Sequence, residues 1–201
     1  MENTLLNSIF FVRSTGDGTS KNVLIRQNRI TFKENISEAF ATRGNIAGIT
    51  VDGNTFDFNN PETTGAEYIT LCGQNLVFSN NTLLAVDNGI NVSNAPNAKI
   101  ENNAIHGSSR TAGQIVNSPN TVFNNNVISG AGHTSGGVSF SILAGSDNTR
   151  ITNNQFYQTS QIPVSGTNKS PRALSIASTL TGIVLEGNST YPAEGSSYPL
   201  Q

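Results

Sequence analysis

The chain has 201 residues, of which 12% are charged and 7% are aromatic, and its formal net charge is −2. Ordinary globular domains contain about 25% charged residues, whereas here Asn, Ser, Thr and Gly account for 28, 22, 21 and 19 residues. The balanced charge and the lack of a basic run exclude a dedicated nucleic-acid-binding protein. No apolar stretch reaches about 18 residues, so we expect no membrane insertion, and the lone Cys72 excludes a disulfide framework.

A nine-residue pattern, Asn-x-x-φ-x-x-Asn-x-φ with φ apolar, recurs along the chain. Its copies are residues 22–30, 48–56, 75–83, 97–105, 120–128, 148–156 and a degenerate 182–190. We call the second Asn of each copy the anchor; the anchors are Asn28, Asn54, Asn81, Asn103, Asn126, Asn154 and Asn188. Successive anchors are 26, 27, 22, 23, 28 and 34 residues apart. Such spacings are typical of single coils of a β-solenoid.

Apolar residues alternate within each copy, which is the period of a β-strand. The next apolar position lies beyond a bend at the anchor. A third apolar stretch precedes most copies, at residues 68–71, 89–92, 114–116, 138–140 and 174–176, and a first strand is predicted at 8–12. Each coil is therefore predicted to have three short strands. Asn tolerates the left-handed backbone of a tight bend, and stacked Asn amides form hydrogen-bonded ladders.

The repeat resembles the right-handed parallel β-helix of the pectate-lyase-like superfold, whose members include pectin-degrading enzymes, alginate epimerases and phage tailspikes. This resemblance covers residues 8–190. It implies an all-β fold, a single-stranded solenoid of about seven coils of three short strands, with an Asn ladder at one turn. We expect residues 1–190 to form the β-helix and residues 191–201 to form a C-terminal tail that covers the last coil.

One outward position in the strand before each anchor is apolar in four of seven copies. These positions are Leu24, Thr50, Val77, Lys99, Val122, Arg150 and Val184. Exposed apolar rows favour packing against a neighbouring chain. The resemblance to phage β-helices implies that this neighbour is another copy in a homotrimer. Scattered surface apolar residues or coverage by loops is the alternative.

The insertions are predicted to collect at one corner, between a third strand and the next coil, at 32–45, 58–67, 107–113, 129–137 and 158–172. Solenoids commonly carry their binding surfaces on such loops. His106, Arg110 and His133 lie near this edge, and Tyr157 could stack on a sugar ring. These four residues are the candidate glycan-binding residues, with an ordinary surface role as the alternative.

Glycoside hydrolysis requires two carboxyl groups, about 5 to 5.5 Å or about 6.5 to 9.5 Å apart. The weak catalytic candidates are Asp52 and Asp57, which flank the second anchor, and the loop residues Glu67 and Asp87. Arg26 stands above Asp52 in the repeat and predicts a surface ion pair. The polygalacturonase-like motifs are missing, and no acidic cluster predicts a metal site or another cofactor.

The leading hypothesis is a non-catalytic component of a phage or virus particle, such as a spike, fibre segment or capsid decoration. It would contact other virion proteins and bind a host surface polysaccharide through its loops. Because no basic leader opens the chain, synthesis in the host cytoplasm without a signal peptide is expected. The alternatives are a tailspike-like polysaccharide hydrolase or lyase, and a fragment of a larger β-helix protein.

Overall fold

The computed structural model describes residues 3–6, 10–13, 20–31, 38–44, 46–58, 68–84, 88–106, 111–129, 138–158, 172–192 and 200. All regular structure in these segments is β-strand. The strands form three long parallel sheets and one two-stranded sheet, Ser20–Lys21 with Ile46–Ala47. We number the long sheets in the order in which the chain visits them within one coil.

Sheet 1 lies before the anchors and contains Leu24–Arg26, Thr50–Asp52, Val77–Ser79, Lys99–Glu101, Val122–Asn124, Arg150–Thr152 and Val184–Glu186. Sheet 2 follows the anchor bend and contains Asn3–Leu6, Asn28–Thr31, Thr55–Asp57, Thr82–Leu84, Ala104–His106, Val127–Ser129, Gln155–Tyr157 and Ser189–Tyr191. Sheet 3 contains Phe10–Arg13, Glu38–Arg43, Tyr68–Leu71, Asn88–Ser93, Thr111–Val116, Val138–Ile142 and Arg172–Ile176.

Each strand pairs in parallel with the equivalent strand of the next coil, so equivalent residues stack in columns. Val77, for example, is in register with Thr50 on one side and Lys99 on the other. This arrangement is a parallel β-helix and confirms the predicted fold class, its three strands per coil and its third strands. Columns of this kind decide which residues become neighbours, because stacked strands lie about 4.8 Å apart.

The predicted insertions lie at one corner, but the strands that flank them are not the expected ones. The long connections run from a sheet 2 strand to the following sheet 3 strand, not from sheet 3 to the next coil. In addition, Glu38–Arg43, placed in the first insertion, is a strand of sheet 3 that pairs with Phe10–Arg13. The connection from sheet 3 to sheet 1 is instead a short turn. Asn or Gly residues with a positive φ, such as Asn94 and Asn97, bend the chain there.

The apolar core lies between the three sheets and extends along the stack. Central residues of sheet 1 point inward, and Val51, Phe78 and Phe123 are completely buried. Phe123 stacks on Phe140 of sheet 3 with ring centroids 4.2 Å apart. At the last coil Leu185 occupies the same inward column but is 44% exposed. Leu200 packs against the core, and the division of the chain at residue 190 stays a prediction.

The predicted Asn ladder runs through all seven anchors. Asn126 shows its geometry: Nδ2 donates to Asn154 Oδ1 at 3.0 Å and to the Ile100 carbonyl at 2.9 Å. Its Oδ1 accepts hydrogen bonds from both Nδ2 and the backbone N–H of Asn103, each at 3.0 Å. The amide thus uses both donors and both acceptor positions. Because Asn126 is fully buried, this satisfaction is what makes a polar side chain tolerable inside the helix.

One detail of the ladder differs from the expected one. The left-handed backbone belongs to the residue before each anchor, not to the anchor itself. Those residues are Gln27, Gly53, Asn80, Asn102, Asn125, Asn153 and Gly187, with φ between +53° and +66°. The two positions therefore have different roles: the first supplies the bend, and the anchor supplies the buried amide. Gln27 is the one member of this column that is neither Asn nor Gly.

Candidate functional site

Two columns of side chains cover the outer face of sheet 2. The first, which we call the His–Tyr row, contains Thr31, Asp57, Leu84, His106, Ser129, Tyr157 and Tyr191. The second, the companion row, contains Arg29, Thr55, Thr82, Ala104, Val127, Gln155 and Ser189. Strand alternation points both rows away from the core. The face lies next to the corner from which the long connections leave sheet 2.

Polar contacts link neighbouring coils within the His–Tyr row. The ring Nδ1 of His106 lies 2.7 Å from Ser129 Oγ. Both side chains are half-buried, and among the described residues the His106 Nε2 atom makes no hydrogen bond. The contact fixes the imidazole against the strand through Nδ1.

An aromatic pair continues the row above Ser129. The rings of Tyr157 and Tyr191 are parallel within 6°, with centroids 4.3 Å apart. The Tyr157 hydroxyl donates to Gln155 Oε1 of the companion row at 2.8 Å. Removal from solvent raises the pKa of Tyr157 above its ordinary value, and the neighbouring Tyr191 raises it further. This phenol therefore stays neutral. Tyr191 is 42% exposed and presents both apolar ring and hydroxyl to the surroundings.

A charged pair lies at the other end of the row. Arg29 Nη2 is 2.9 Å from Asp57 Oδ2. Leu84 lies between Asp57 and His106 in the row, one coil away from each. Asp57, predicted as a catalytic candidate, is thus engaged by a guanidinium on the same face.

The second described carboxyl candidate, Asp52, lies on the outer face of sheet 1, on the other side of the anchor bend from Asp57. Its Oδ1 accepts hydrogen bonds from Asn80 Nδ2 at 2.7 Å and Ser79 Oγ at 2.9 Å. Arg26 Nε lies 3.5 Å from its Oδ2, which confirms the predicted ion pair. The hydrogen bond from Asn80, aided by Ser79 and Arg26, lowers the pKa of Asp52 below 3.8. A general acid needs a raised pKa, so Asp52 has the opposite environment.

The structure places two of the four predicted glycan-binding residues, His106 and Tyr157, in one row, with Ser129 between them. Arg110 and His133, like the carboxyl candidates Glu67 and Asp87, lie outside the described residues. The sequence reasoning missed Ser129. A signal for it exists, because every member of the His–Tyr row stands three positions after an anchor, as Ser129 does after Asn126.

Other chemistry-bearing groups do not form a site in the described part of the chain. No three His, Cys, Asp or Glu side chains there come together as metal ligands. Cys72 Sγ lies 3.2 Å from Ser93 Oγ, where two neighbouring strands of sheet 3 end. No helix suitable for spanning a membrane occurs among the described segments.

Three parallel sheets stacked coil on coil, with a buried Asn ladder, define a parallel β-helix. The protein family described as "Right handed beta helix region" matches residues 7–156, and the chain belongs to that family. No curated protein sequence matches it.

Solved structures similar to this chain are distant from it. Endopolygalacturonase I of Stereum purpureum, solved with two galacturonates, has 14% identity and a TM-score of 0.37 over 87% of this chain and 69% of its own. ORF18 of Geobacillus virus E2 has 11% identity and a TM-score of 0.31 over 96% and 53%. The A-module of mannuronan C-5 epimerase AlgE6 from Azotobacter vinelandii has 12% identity and a TM-score of 0.29 over 100% and 91%. Likenesses of this size say nothing about function.

Proposed function

We propose that this protein is a non-catalytic component of a phage or virus particle and binds a host surface glycan through the His–Tyr row. One observation carries the binding half of the proposal: His106, Ser129, Tyr157 and Tyr191 form a continuous outward strip on four successive coils. Imidazole and hydroxyl groups exchange hydrogen bonds with sugar hydroxyls, and tyrosine rings cover the apolar faces of sugars. Solenoids use extended surfaces of this kind for recognition.

The environments of the described carboxyl candidates support a non-catalytic role. Asp52 has a lowered pKa, and Asp57 is paired with Arg29 at 2.9 Å. The two lie on the outer faces of different sheets. A glycosidase needs one protonated and one ionised carboxyl facing the same glycosidic bond. Asp52, whose pKa is lowered, does not meet the first requirement.

Tyr191→Ala is expected to weaken binding of the recognised polysaccharide by at least about tenfold, because it removes an exposed aromatic side chain that stacks on Tyr157 and extends the strip by one coil. Binding is measured by affinity electrophoresis and by saturation-transfer NMR on the intact chain. Thr179→Ala, an exposed turn residue between sheets 3 and 1, is the matched control and should bind like wild type.

Three results would contradict the proposed function. They are the failure of wild type to bind any polysaccharide in a broad panel, equal binding by the Tyr191 and control variants, and release of reducing ends or unsaturated sugars during incubation. The last result would favour the polysaccharide depolymerase. The quadruple replacement of Asp52, Asp57, Glu67 and Asp87 would then test whether these carboxyl groups carry the cleavage, and cleavage that survives it would rule them out.

The virion half of the proposal rests on the likeness of the repeat to phage β-helices and includes assembly as a homotrimer. The outward row of sheet 1 supports it. Leu24 is 63% exposed, and Val122 stands between Lys99 and Arg150 in that row. Apolar side chains on an exposed sheet face favour packing against another chain.

Leu24→Glu is expected to convert a trimer into monomers, because it places a carboxylate at the most exposed apolar position of the row proposed to face the other two chains. Light scattering should give a mass near three times 21.2 kDa for wild type and one third of that for the variant. Thr82→Glu, on the outer face of sheet 2, serves as the control and should remain trimeric. A monomeric wild type would overturn the assembly proposal and leave the glycan proposal standing.

A further inference from the structure

The outer face of sheet 2, which we call the His–Tyr face, carries no formal charge at its described outward positions from Thr82 to Tyr191. Between Thr82 and Tyr191, five strands of sheet 2 each contribute two outward positions. These ten positions contain no Lys, Arg, Asp or Glu. The nearest charges on the described part of this face are Arg29 and Asp57, which neutralise each other at 2.9 Å.

A binding site for an acidic polymer would look different. Carboxylate or sulfate groups removed from water need cationic partners, and Arg supplies them with bidentate hydrogen bonds. The only titratable groups in the described stretch are His106, Tyr157 and Tyr191, and the pKa of Tyr157 is raised, so its phenol stays protonated. The polar groups of this stretch donate hydrogen bonds to sugar hydroxyls and accept hydrogen bonds from them.

The companion row contributes a second feature. Ala104 and Val127 stand beside His106 and Ser129, and both are half-buried and apolar. They are smaller than Gln155 of the next coil, so the surface is lower beside the histidine and serine than beside the tyrosines. A shallow strip with apolar floor and a polar rim matches a ring that has C–H groups on its faces and hydroxyls on its edge.

The strip also has a direction and a length. Leu84, His106, Ser129, Tyr157 and Tyr191 follow one another on successive coils. Four steps of about 4.8 Å give about 19 Å along the helix axis. A short extended oligosaccharide fits this strip when it runs parallel to the axis, with one contact group from each coil.

We propose that the ligand of this face is an uncharged oligosaccharide segment lying along the helix axis. This inference rests on the proposed glycan-binding function and specifies the substrate class of the same face. Its hydrogen bonds come from His106, Ser129 and the tyrosine hydroxyls, and its apolar contacts come from Ala104, Val127 and the tyrosine rings. Because no ion pair contributes, the affinity is independent of salt concentration.

Affinity electrophoresis of the intact chain separates the possibilities. The probes are a panel of neutral polymers (glucans, mannans and galactans) and a panel of acidic ones (polygalacturonate, alginate and a sulfated galactan). We expect retardation by at least one neutral polymer, the same Kd within about twofold from 50 mM to 500 mM NaCl, and none by the acidic polymers. His106→Ala and Tyr191→Ala should each abolish retardation at polymer concentrations where Thr179→Ala is still retarded.

A specificity change provides a second readout. Val127→Lys adds one cation to the face without removing a hydrogen-bonding group. It should give weak retardation by acidic polymers that is lost at 500 mM NaCl, since exposed charge pairs are screened at high ionic strength. The same substitution should weaken binding of the neutral polymer several-fold, because a flexible charged side chain then occupies the apolar floor.

The outcomes distinguish the two proposals. Salt-sensitive retardation by acidic polymers that depends on His106 and Tyr191 would overturn the neutral ligand and leave the glycan-binding function intact. Retardation unaffected by either substitution would place the ligand elsewhere and overturn both the face and its ligand class. No retardation by any polymer of either panel would overturn the glycan-binding function itself.

Discussion

Asn126→Leu is expected to lower the free energy of unfolding by about 4 kcal/mol, since each buried polar group left without a partner costs roughly 1 to 3 kcal/mol. The substitution keeps the number and branching of the non-hydrogen side-chain atoms but removes four hydrogen bonds. It deprives the Ile100 carbonyl and Asn154 Oδ1 of a donor. It also leaves the backbone N–H and one Nδ2 hydrogen of Asn103 without an acceptor. The backbone N–H of residue 126 keeps its bond to Asn154 Oδ1.

Neighbouring positions provide the controls for this measurement, which is made by urea unfolding followed by circular dichroism. Asn125→Gly changes an exposed residue with φ +53°, a conformation that Gly accepts without strain, so a loss below about 1 kcal/mol is expected. Asn188→Leu disturbs the half-exposed upper end of the ladder and should cost less than Asn126→Leu. Equal effects at 125 and 126 would show that the buried amide is not the stabilising group.

Gly89→Ala is expected to cost about 3 kcal/mol, at the upper end of the cost of overpacking a well-packed interior. A Cβ at this position would overlap the backbone carbonyl of Ala112 in the next coil, with the carbonyl carbon only 2.6 Å away. Backbone cannot rotate aside as a side chain can. The strands Asn88–Ser93 and Thr111–Val116 would have to separate, which weakens sheet 3 in the middle of the stack.

Gly53→Ala is the matched control for this steric prediction. Gly53 has φ +64°, and the nearest atom to its added Cβ, Gln27 Cγ, is 3.6 Å away. Only backbone strain remains there, about 1 kcal/mol. Thermal unfolding of both variants measures the difference. A Gly89 variant that fails to fold while the Gly53 variant melts near wild type agrees with the prediction. A Gly53 variant as unstable as the Gly89 variant contradicts it.

Some residues of the candidate site can be predicted from the sequence, and others cannot. The chemistry of His106 and Tyr157 is enough to predict them from the sequence, and the columns of sheet 2 place them two coils apart in one row. Ser129 drew no attention, because serine is common in this chain. Its importance comes from position alone, three residues after its anchor. The extent of the first insertion could not be predicted, because a short apolar stretch such as Glu38–Arg43 is compatible with either an insertion or a strand.

By itself, the sequence determined the solenoid, the number of coils, the seven anchors and the columns that follow from them. It could do so because each coil must satisfy the same local demands, an apolar residue facing inward and a polar one at the bend. Only the tertiary structure decided how two adjacent turn residues divide their roles, as in Asn125 and Asn126. Both positions favour Asn, one because its backbone tolerates φ +53° and the other because its buried amide binds the coils on either side. The residue type is the same, and the physical reason for it depends on what lies above and below.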